Sequence, residues 1–138
     1  MDRGGVRRHA AGVRDPIHLA QCSSERRRAM MLLVVGASFR TAAVELREAL
    51  AFERDKLQRG LAELAARYGV EAVILSTCNR VEVYLGRLSA EVPPSTDLIA
   101  EFLAEFHHLG YDQLRPALYG HSGPAAVHHL FRVAASLD

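Results

Sequence analysis

The sequence is poor in cysteine and has no long apolar run, and each shortage argues against a class of protein. Cys22 and Cys78 are its only cysteines among 138 residues. They are far apart and form no Cys-x-x-Cys pair, which argues against a disulfide framework and a structural zinc site. No apolar stretch approaches the roughly 20 residues of a membrane-spanning helix. The first residues also lack the apolar core of a secretory signal. These absences predict a cytoplasmic protein with reduced thiols and no membrane association.

The sequence also lacks a strong overall charge, but its charge is unevenly distributed. The formal net charge is +1, with +4 in residues 1–30 and −3 in the remainder. Glycine and proline interrupt residues 1–30, and the apolar residues there show no sustained period. We therefore predict that residues 1–30 form a disordered basic extension, or are upstream sequence translated from a start codon set too early. An RNA-binding arm is the functional alternative, because clustered arginines neutralise phosphate. We predict that residues 31–138 form one folded domain.

The hydrophobic pattern of residues 31–138 predicts alternating strands and helices. A first helix is expected over residues 43–50, with Thr41 as its cap. A fourth strand is expected over residues 114–119, at a sheet edge because it contains Pro116. The other predicted elements are strands at 32–36, 71–76 and 80–85, and helices at 53–68, about 96–109 and from 124 onward. This order predicts an α+β fold, a ferredoxin-like split β-α-β sandwich with a mostly antiparallel sheet and helices on one face.

Histidines mark two of these helices. His107 and His108 fall in the last turn of the third long helix, where we expect them to interact with the helix dipole. In the last helix, His129 is expected to point away from the core, either at the surface or in a cleft. The core stripe of that helix is expected to be Val127, Leu130, Phe131 and Ala134. Because the chain reaches Asp138 with no helix breaker, we expect it to stop inside this helix, as a truncated protein would.

Residues 76–82, STCNRVE, are the stretch with the clearest chemical content. Cys78 follows a buried strand and precedes a guanidinium, which places it where a thiolate is stabilised and accessible. Polar residues replace the Asn-Gly or Asp-Gly pair that a simple hairpin turn favours. A buried core cysteine is the alternative. A metal site of Cys78 with His121, His128 or His129 matches no standard ligand spacing.

Three motifs together resemble the N-terminal catalytic domain of the glutamyl-tRNA reductase family. They are STCNRVE at residues 76–82, GASFRTAAVELRE at 36–48 and AVHHLFRVAASLD at 126–138. The first of these resembles the nucleophile motif of the family and is highly specific. Two positions depart from the family pattern, because Phe39 stands where many members have His and Ala43 where most have Pro.

The resemblance implies a thioester mechanism. The Cys78 thiolate would attack glutamyl-tRNA and form a glutamyl thioester, which NADPH would reduce to glutamate-1-semialdehyde in the first step of tetrapyrrole (porphyrin) biosynthesis. His129 would act as acid/base or positioning group. Thr77, Asn79 and Arg80 would bind the substrate. The Arg80 guanidinium would bind the side-chain carboxylate of the glutamate through two hydrogen bonds. The resemblance also implies a homodimer formed through a C-terminal domain that this chain lacks.

The same resemblance limits what this chain can do alone. Hydride transfer needs a bound dinucleotide, and the GASFRT loop has no second and third glycine of a dinucleotide fingerprint. We therefore expect NADPH to bind a domain outside this chain, which alone would complete only the first half-reaction. The alternative is a non-catalytic remnant that binds tRNA or a partner. Binding that weakens steeply with salt would favour that alternative.

Overall fold

The computed structural model describes residues 31–87 and 94–138. The expectations for residues 1–30, and most of the surface loop expected at 90–95, lie outside the described residues. A 3-10 turn, Arg115–Ala117, separates the last short helix from the last strand. The elements in chain order are β1 (Met31–Ser38), α1 (Val44–Leu50), α2 (Arg54–Tyr68), β2 (Glu71–Ser76), β3 (Arg80–Arg87), α3 (Thr96–His107), α4 (Tyr111–Leu114), β4 (Tyr119–Ser122) and α5 (Pro124–Ala134).

The four strands form one sheet in the order β2-β3-β1-β4. All three neighbouring pairs are antiparallel. The long central strands β1 and β3 are paired over eight residues, from Met31 opposite Arg87 to Ser38 opposite Arg80. This strand order is that of the split β-α-β sandwich, so the predicted α+β class and ferredoxin-like topology are confirmed.

The main core lies between the sheet and the helices α1 to α4. Alternate residues of β1 and β3 face these helices, because successive side chains of a strand point to opposite sides. Gly69 ends α2 in the left-handed conformation with φ 58°, as glycine permits. The buried residues contributed by the two central strands are Leu33, Val35, Ala37, Val81, Val83 and Leu85.

Helix α5 packs on the opposite face of the sheet, so the expectation of helices on one face holds for α1 to α4 only. Ala126 of α5 forms a small buried cluster with Val34 and Tyr84. The expected core stripe of α5 is wrong, because Phe131 is 68% exposed. Val127, Leu130 and Ala134 are also exposed. The physical reason is that α5 covers a polar part of the sheet, so it buries its small and polar residues.

Three local expectations are wrong. The helix α5 ends at Ala134, before the chain does. The expected strand at 114–119 is replaced by the end of α4 and the 3-10 turn, where Pro116 occupies an early position that needs no amide donor. Thr41 does not cap α1; its hydroxyl oxygen instead accepts a hydrogen bond from the Ser38 amide at 3.1 Å.

His107 is also placed differently from the expectation. Its ring lies against Phe52 and Phe106, with centroid distances of 4.6 and 5.1 Å. Neither ring nitrogen has a hydrogen bond of normal geometry within the described residues. Burial, aided by the positive charge of Lys56, lowers the pKa of His107 to about 4, and the Ala49 carbonyl only partly opposes this. His107 is therefore a neutral core residue at pH 7 and does not act as a charge on the helix dipole.

The lowered pKa of His107 predicts a pH-dependent stability. The unfolded chain binds a proton at His107 below about pH 6.5, whereas the folded chain does so only near pH 4. The free energy of unfolding should therefore fall as the pH falls from 6.5 to 4, by at most ~1.4 kcal/mol per pH unit from this group. Urea unfolding at several pH values would measure this slope. His107→Phe should flatten it, and the neighbouring His108→Gln should not; equal slopes in all three proteins would contradict the assignment.

Gly36 is required where β1 passes between β3 and β4. It is paired with Glu82 on one side and with Tyr119 on the other. A Cβ atom at Gly36 would lie 2.4 Å from the Val81 carbonyl oxygen and 2.7 Å from the Glu82 Cγ. Only a residue without a side chain leaves this room.

Gly36→Ala should therefore destabilise the fold by about 1–3 kcal/mol, the usual cost of overpacking. Chemical denaturation would measure the change. Gly86→Ala is the matched control, because a Cβ atom there meets nothing within 4 Å. Equal stability of the two variants would show that the space at Gly36 is not needed.

Candidate active site

Cys78 lies at the tip of the turn between β2 and β3. The turn is closed by Thr77, whose amide donates to the Arg80 carbonyl at 2.8 Å. The Thr77 hydroxyl oxygen also accepts from the amides of Asn79 and Arg80, at 3.3 and 3.2 Å. A threonine side chain thus supplies the hydrogen bonds of a turn that has no glycine. The Cys78 thiol is free and exposed, so the alternative of a buried core cysteine is wrong.

The segment that follows β1 holds this turn from the side. The Phe39 amide donates to the Asn79 carbonyl at 2.8 Å. Arg47 of α1 donates through Nε to the Cys78 carbonyl at 3.3 Å. Both carbonyls at the tip of the turn are therefore bonded to one neighbouring segment.

Four side chains surround the carboxylate of Glu82, which is fully buried on the α5 side of the sheet. Arg80 Nη1 lies 3.0 Å from Oε1, and His129 Nε2 lies 2.7 Å from the same oxygen. The Tyr84 hydroxyl donates to Oε2 at 2.6 Å, and the Tyr119 hydroxyl donates to Oε1. These donors come from β3, β4 and α5, so Glu82 joins three elements.

The hydrogen bonds keep Glu82 ionised. Burial by itself raises the pKa of Glu82, but the bonds from Tyr119, Tyr84, His129 and Arg80 outweigh it, and the net pKa is lowered. Burial and the adjacent Glu82 carboxylate raise the pKa of Tyr84 and of Tyr119 above the ordinary tyrosine value. Both hydroxyls therefore remain protonated and able to donate at neutral pH.

Asp138 supplies a second carboxylate to the same cluster. Its Oδ2 lies 3.6 Å from Arg80 Nη1 and 3.3 Å from His129 Nδ1. Arg80 Nη2 also donates to the main-chain carbonyl of Asp138 at 2.9 Å. Arg80 and His129 therefore share two carboxylates, and each ring nitrogen of His129 faces one of them.

Two cavities lie on either side of Asp138. One, of about 420 Å³, is lined by polar groups that include Thr77, Asn79, Arg80 and Asp138. The other, of about 440 Å³, is lined by His129 together with Tyr119, His121, His128 and Arg132. The predicted substrate-binding residues thus meet at one cavity, next to the Cys78 turn. His129, the predicted acid/base or positioning residue, is buried and lines the second cavity.

Two further features, a metal site and a membrane-spanning helix, were searched for among the described residues. These residues contain no group of three or more His, Cys, Asp and Glu side chains placed to hold a metal ion. Within the same part of the chain, no helix has the length and apolar character needed to cross a bilayer.

Several members of the site were missed by sequence reasoning. Glu82 and Arg47 lie within the two motifs at 76–82 and 36–48, but neither was predicted to be a site residue. Tyr84, Tyr119 and Asp138 had no recognised role. The alternation of Val81, Glu82 and Val83 was the available signal, since it places Glu82 on the face opposite the main core. Nothing local indicated that β4 and α5 would cover that face.

The family model and the curated relatives that match this chain all name the same protein family. A model of the N-terminal domain of glutamyl-tRNA(Glu) reductase matches residues 35–138. The glutamyl-tRNA reductase of Solibacter usitatus is 50% identical over 110 residues, which are 79% of this chain and 26% of that protein. The glutamyl-tRNA reductase of Trichlorobacter lovleyi is 44% identical over 110 residues, covering 79% of this chain and 25% of the relative.

A solved structure that matches this chain is also that of a glutamyl-tRNA reductase. Glutamyl-tRNA reductase from Methanopyrus kandleri superposes with a TM-score of 0.53 at 31% sequence identity, covering 77% of this chain and 22% of that one. The chain therefore spans about a quarter of the length of the curated relatives it matches. On the match over residues 35–138, the chain belongs to the family of glutamyl-tRNA reductase N-terminal domains.

Proposed function

We propose that this chain carries the thiol half-reaction of a glutamyl-tRNA reductase, with glutamyl-tRNA as its substrate. The observation that supports this most is the placement of Cys78. Its thiol is exposed, and both of its sequence neighbours, Thr77 and Asn79, line the cavity that contains Arg80. A substrate held in that cavity would present its reacting carbon next to the thiol.

The proposed step is an acyl transfer. The Cys78 thiolate sulfur attacks the carbonyl carbon of the ester between glutamate and the terminal ribose of the tRNA. The bond from that carbon to the ribose oxygen breaks, and the oxygen leaves as a hydroxyl after taking a proton. A glutamyl thioester remains on Cys78. No atom changes oxidation state, so this step needs no reductant.

Arg80 is the proposed anchor for the glutamate side-chain carboxylate. Its guanidinium is buried and already paired with Glu82 at 3.0 Å and Asp138 at 3.6 Å. We propose that the substrate carboxylate replaces the contact with the Asp138 side chain, while Glu82 keeps the guanidinium aligned. Asn79 would offer an amide at the cavity wall, and Thr77 would hold the turn.

His129 is proposed as a positioning group. Its two ring nitrogens face Glu82 and Asp138 at 2.7 and 3.3 Å. This arrangement supports a role in orienting the two carboxylates that hold Arg80 more than direct proton transfer at Cys78. Proton transfer to the leaving hydroxyl would require His129 to release one of these contacts.

The segment that begins at Gly36 does not fit a phosphate-binding loop for a nicotinamide dinucleotide. Gly36 lies inside β1 and packs against Glu82, so it is not the start of a phosphate-binding loop. The mechanism derived for this chain therefore ends at the thioester. We propose that reduction of the thioester to glutamate-1-semialdehyde with NADPH, entry into tetrapyrrole biosynthesis, dimer formation and a cytoplasmic location are properties of the whole reductase.

Covalent trapping tests the proposed half-reaction. Mixing the chain with tRNA carrying labelled glutamate and quenching in acid should leave label on the protein that hydroxylamine releases, because hydroxylamine cleaves thioesters. Cys78→Ser should abolish the label, and Cys22→Ser should retain it as a matched control. Label that persists in Cys78→Ser, or its absence from a folded wild-type chain, would contradict the proposal. Binding of charged tRNA without label would instead favour the non-catalytic alternative.

A further inference from the structure

We infer that Arg47 is a positioning residue for Cys78, which holds the nucleophile turn in the orientation needed for attack. The inference rests on the proposed function of Cys78. Arg47 lies on α1 and is 31 residues away from Cys78 in sequence. Its Nε donates to the Cys78 carbonyl at 3.3 Å, and its Nη1 donates to the Ala42 carbonyl at 2.6 Å. The side chain thus bridges the start of α1 and the tip of the β2–β3 turn.

The turn needs such a support because its side chains are in solvent. Thr77, Cys78 and Asn79 are all exposed, so packing does not fix the turn. Besides its internal bonds, the tip is held by Arg47 at the Cys78 carbonyl and by the Phe39 amide at the Asn79 carbonyl. Fixing the Cys78 carbonyl fixes the peptide plane next to the nucleophile, and with it the direction of the side chain relative to the cavity.

The chemistry of the bridge suits arginine. Two carbonyl oxygens from separate segments require two donors at a fixed separation, and the planar guanidinium provides them. Arg47 forms no salt bridge with any carboxylate in residues 31–87 and 94–138, so both of its contacts there go to the main chain. A lysine has a single charged nitrogen and could not span both carbonyls in the same way.

Acting through Cys78 has a distinct kinetic consequence. Arg47 does not line the cavity that contains Arg80, so its loss should not weaken substrate binding. It should instead lower the rate of acylation once substrate is bound, because a misplaced nucleophile reacts slowly even at saturation. A residue that contributed only to overall stability would change neither quantity in the folded protein.

Single-turnover acylation of the full chain by glutamyl-tRNA measures the acylation rate and the affinity for the substrate separately. In Arg47→Met we expect the acylation rate at saturating substrate to fall by about tenfold, with the substrate dissociation constant changed by less than about twofold. Arg47→Lys should remain closer to Arg47→Met than to wild type. Arg54→Met is the matched control, because Arg54 is exposed at the start of α2 and should give wild-type kinetics. Acylation of Arg47→Met at the wild-type rate would overturn the inference.

Hydrogen exchange gives a second readout that does not depend on activity. The Phe39 amide is protected by its bond to the Asn79 carbonyl, so loosening the turn should expose it. We expect its exchange to accelerate by about tenfold in Arg47→Met, while amides in the centre of β1 stay unchanged. Unchanged exchange at Phe39 would overturn the inference. Wild-type protein that takes no label would defeat the proposed function, and the exchange result would still decide whether Arg47 holds the turn.

Discussion

The structure depends most on the ionised carboxylate of Glu82, which is buried in the sheet. A buried charge is strongly unfavourable unless it is paired and fully hydrogen-bonded. Arg80, Tyr84, Tyr119 and His129 satisfy that requirement here. These groups lie on β3, β4 and α5, and Gly36 in β1 leaves the space in which they meet. The strand register follows from this, since a shift by one residue would turn Glu82 into the apolar core.

The site has two parts, which are held in place by different interactions. Arg80 and His129 are held by burial and by charged hydrogen bonds, so their geometry is a consequence of the fold. Cys78 stands on an exposed turn that is held by a threonine side chain and by contacts from the segment after β1. A rigid guanidinium beside an accessible thiol suits the proposed reaction, in which a large substrate must reach the thiol while its small acyl group is bound.

Sequence reasoning succeeded where the apolar pattern alone decides the structure. The strand period placed β2 and the start of β3, and the helical stripe with Gly69 placed α2. It failed where burial is polar. In α5, the most apolar side is exposed because Ala126 and His129 face the sheet.

In the candidate site, too, one part could be predicted from the sequence and another could not. The Cys78 turn was predictable because thiol, amide and guanidinium are consecutive in sequence. The cluster around Arg80 was not, because Glu82, its donor Tyr119, and Asp138 meet only after the sheet has formed and α5 has covered it. Long-range polar contacts of this kind leave no local periodicity in a single sequence.

Glu82 stays ionised inside the folded protein at neutral pH and organises Arg80 and His129 around it. A carbon-13 NMR titration of the Glu82 carboxyl group tests this most directly. In the folded protein, the titration midpoint of Glu82 should lie below 4.5, the ordinary value for glutamate, because its hydrogen-bond donors stabilise the ionised form. A titration midpoint at or above pH 4.5 in the folded state would contradict this, since the surrounding donors would then not outweigh the effect of burial.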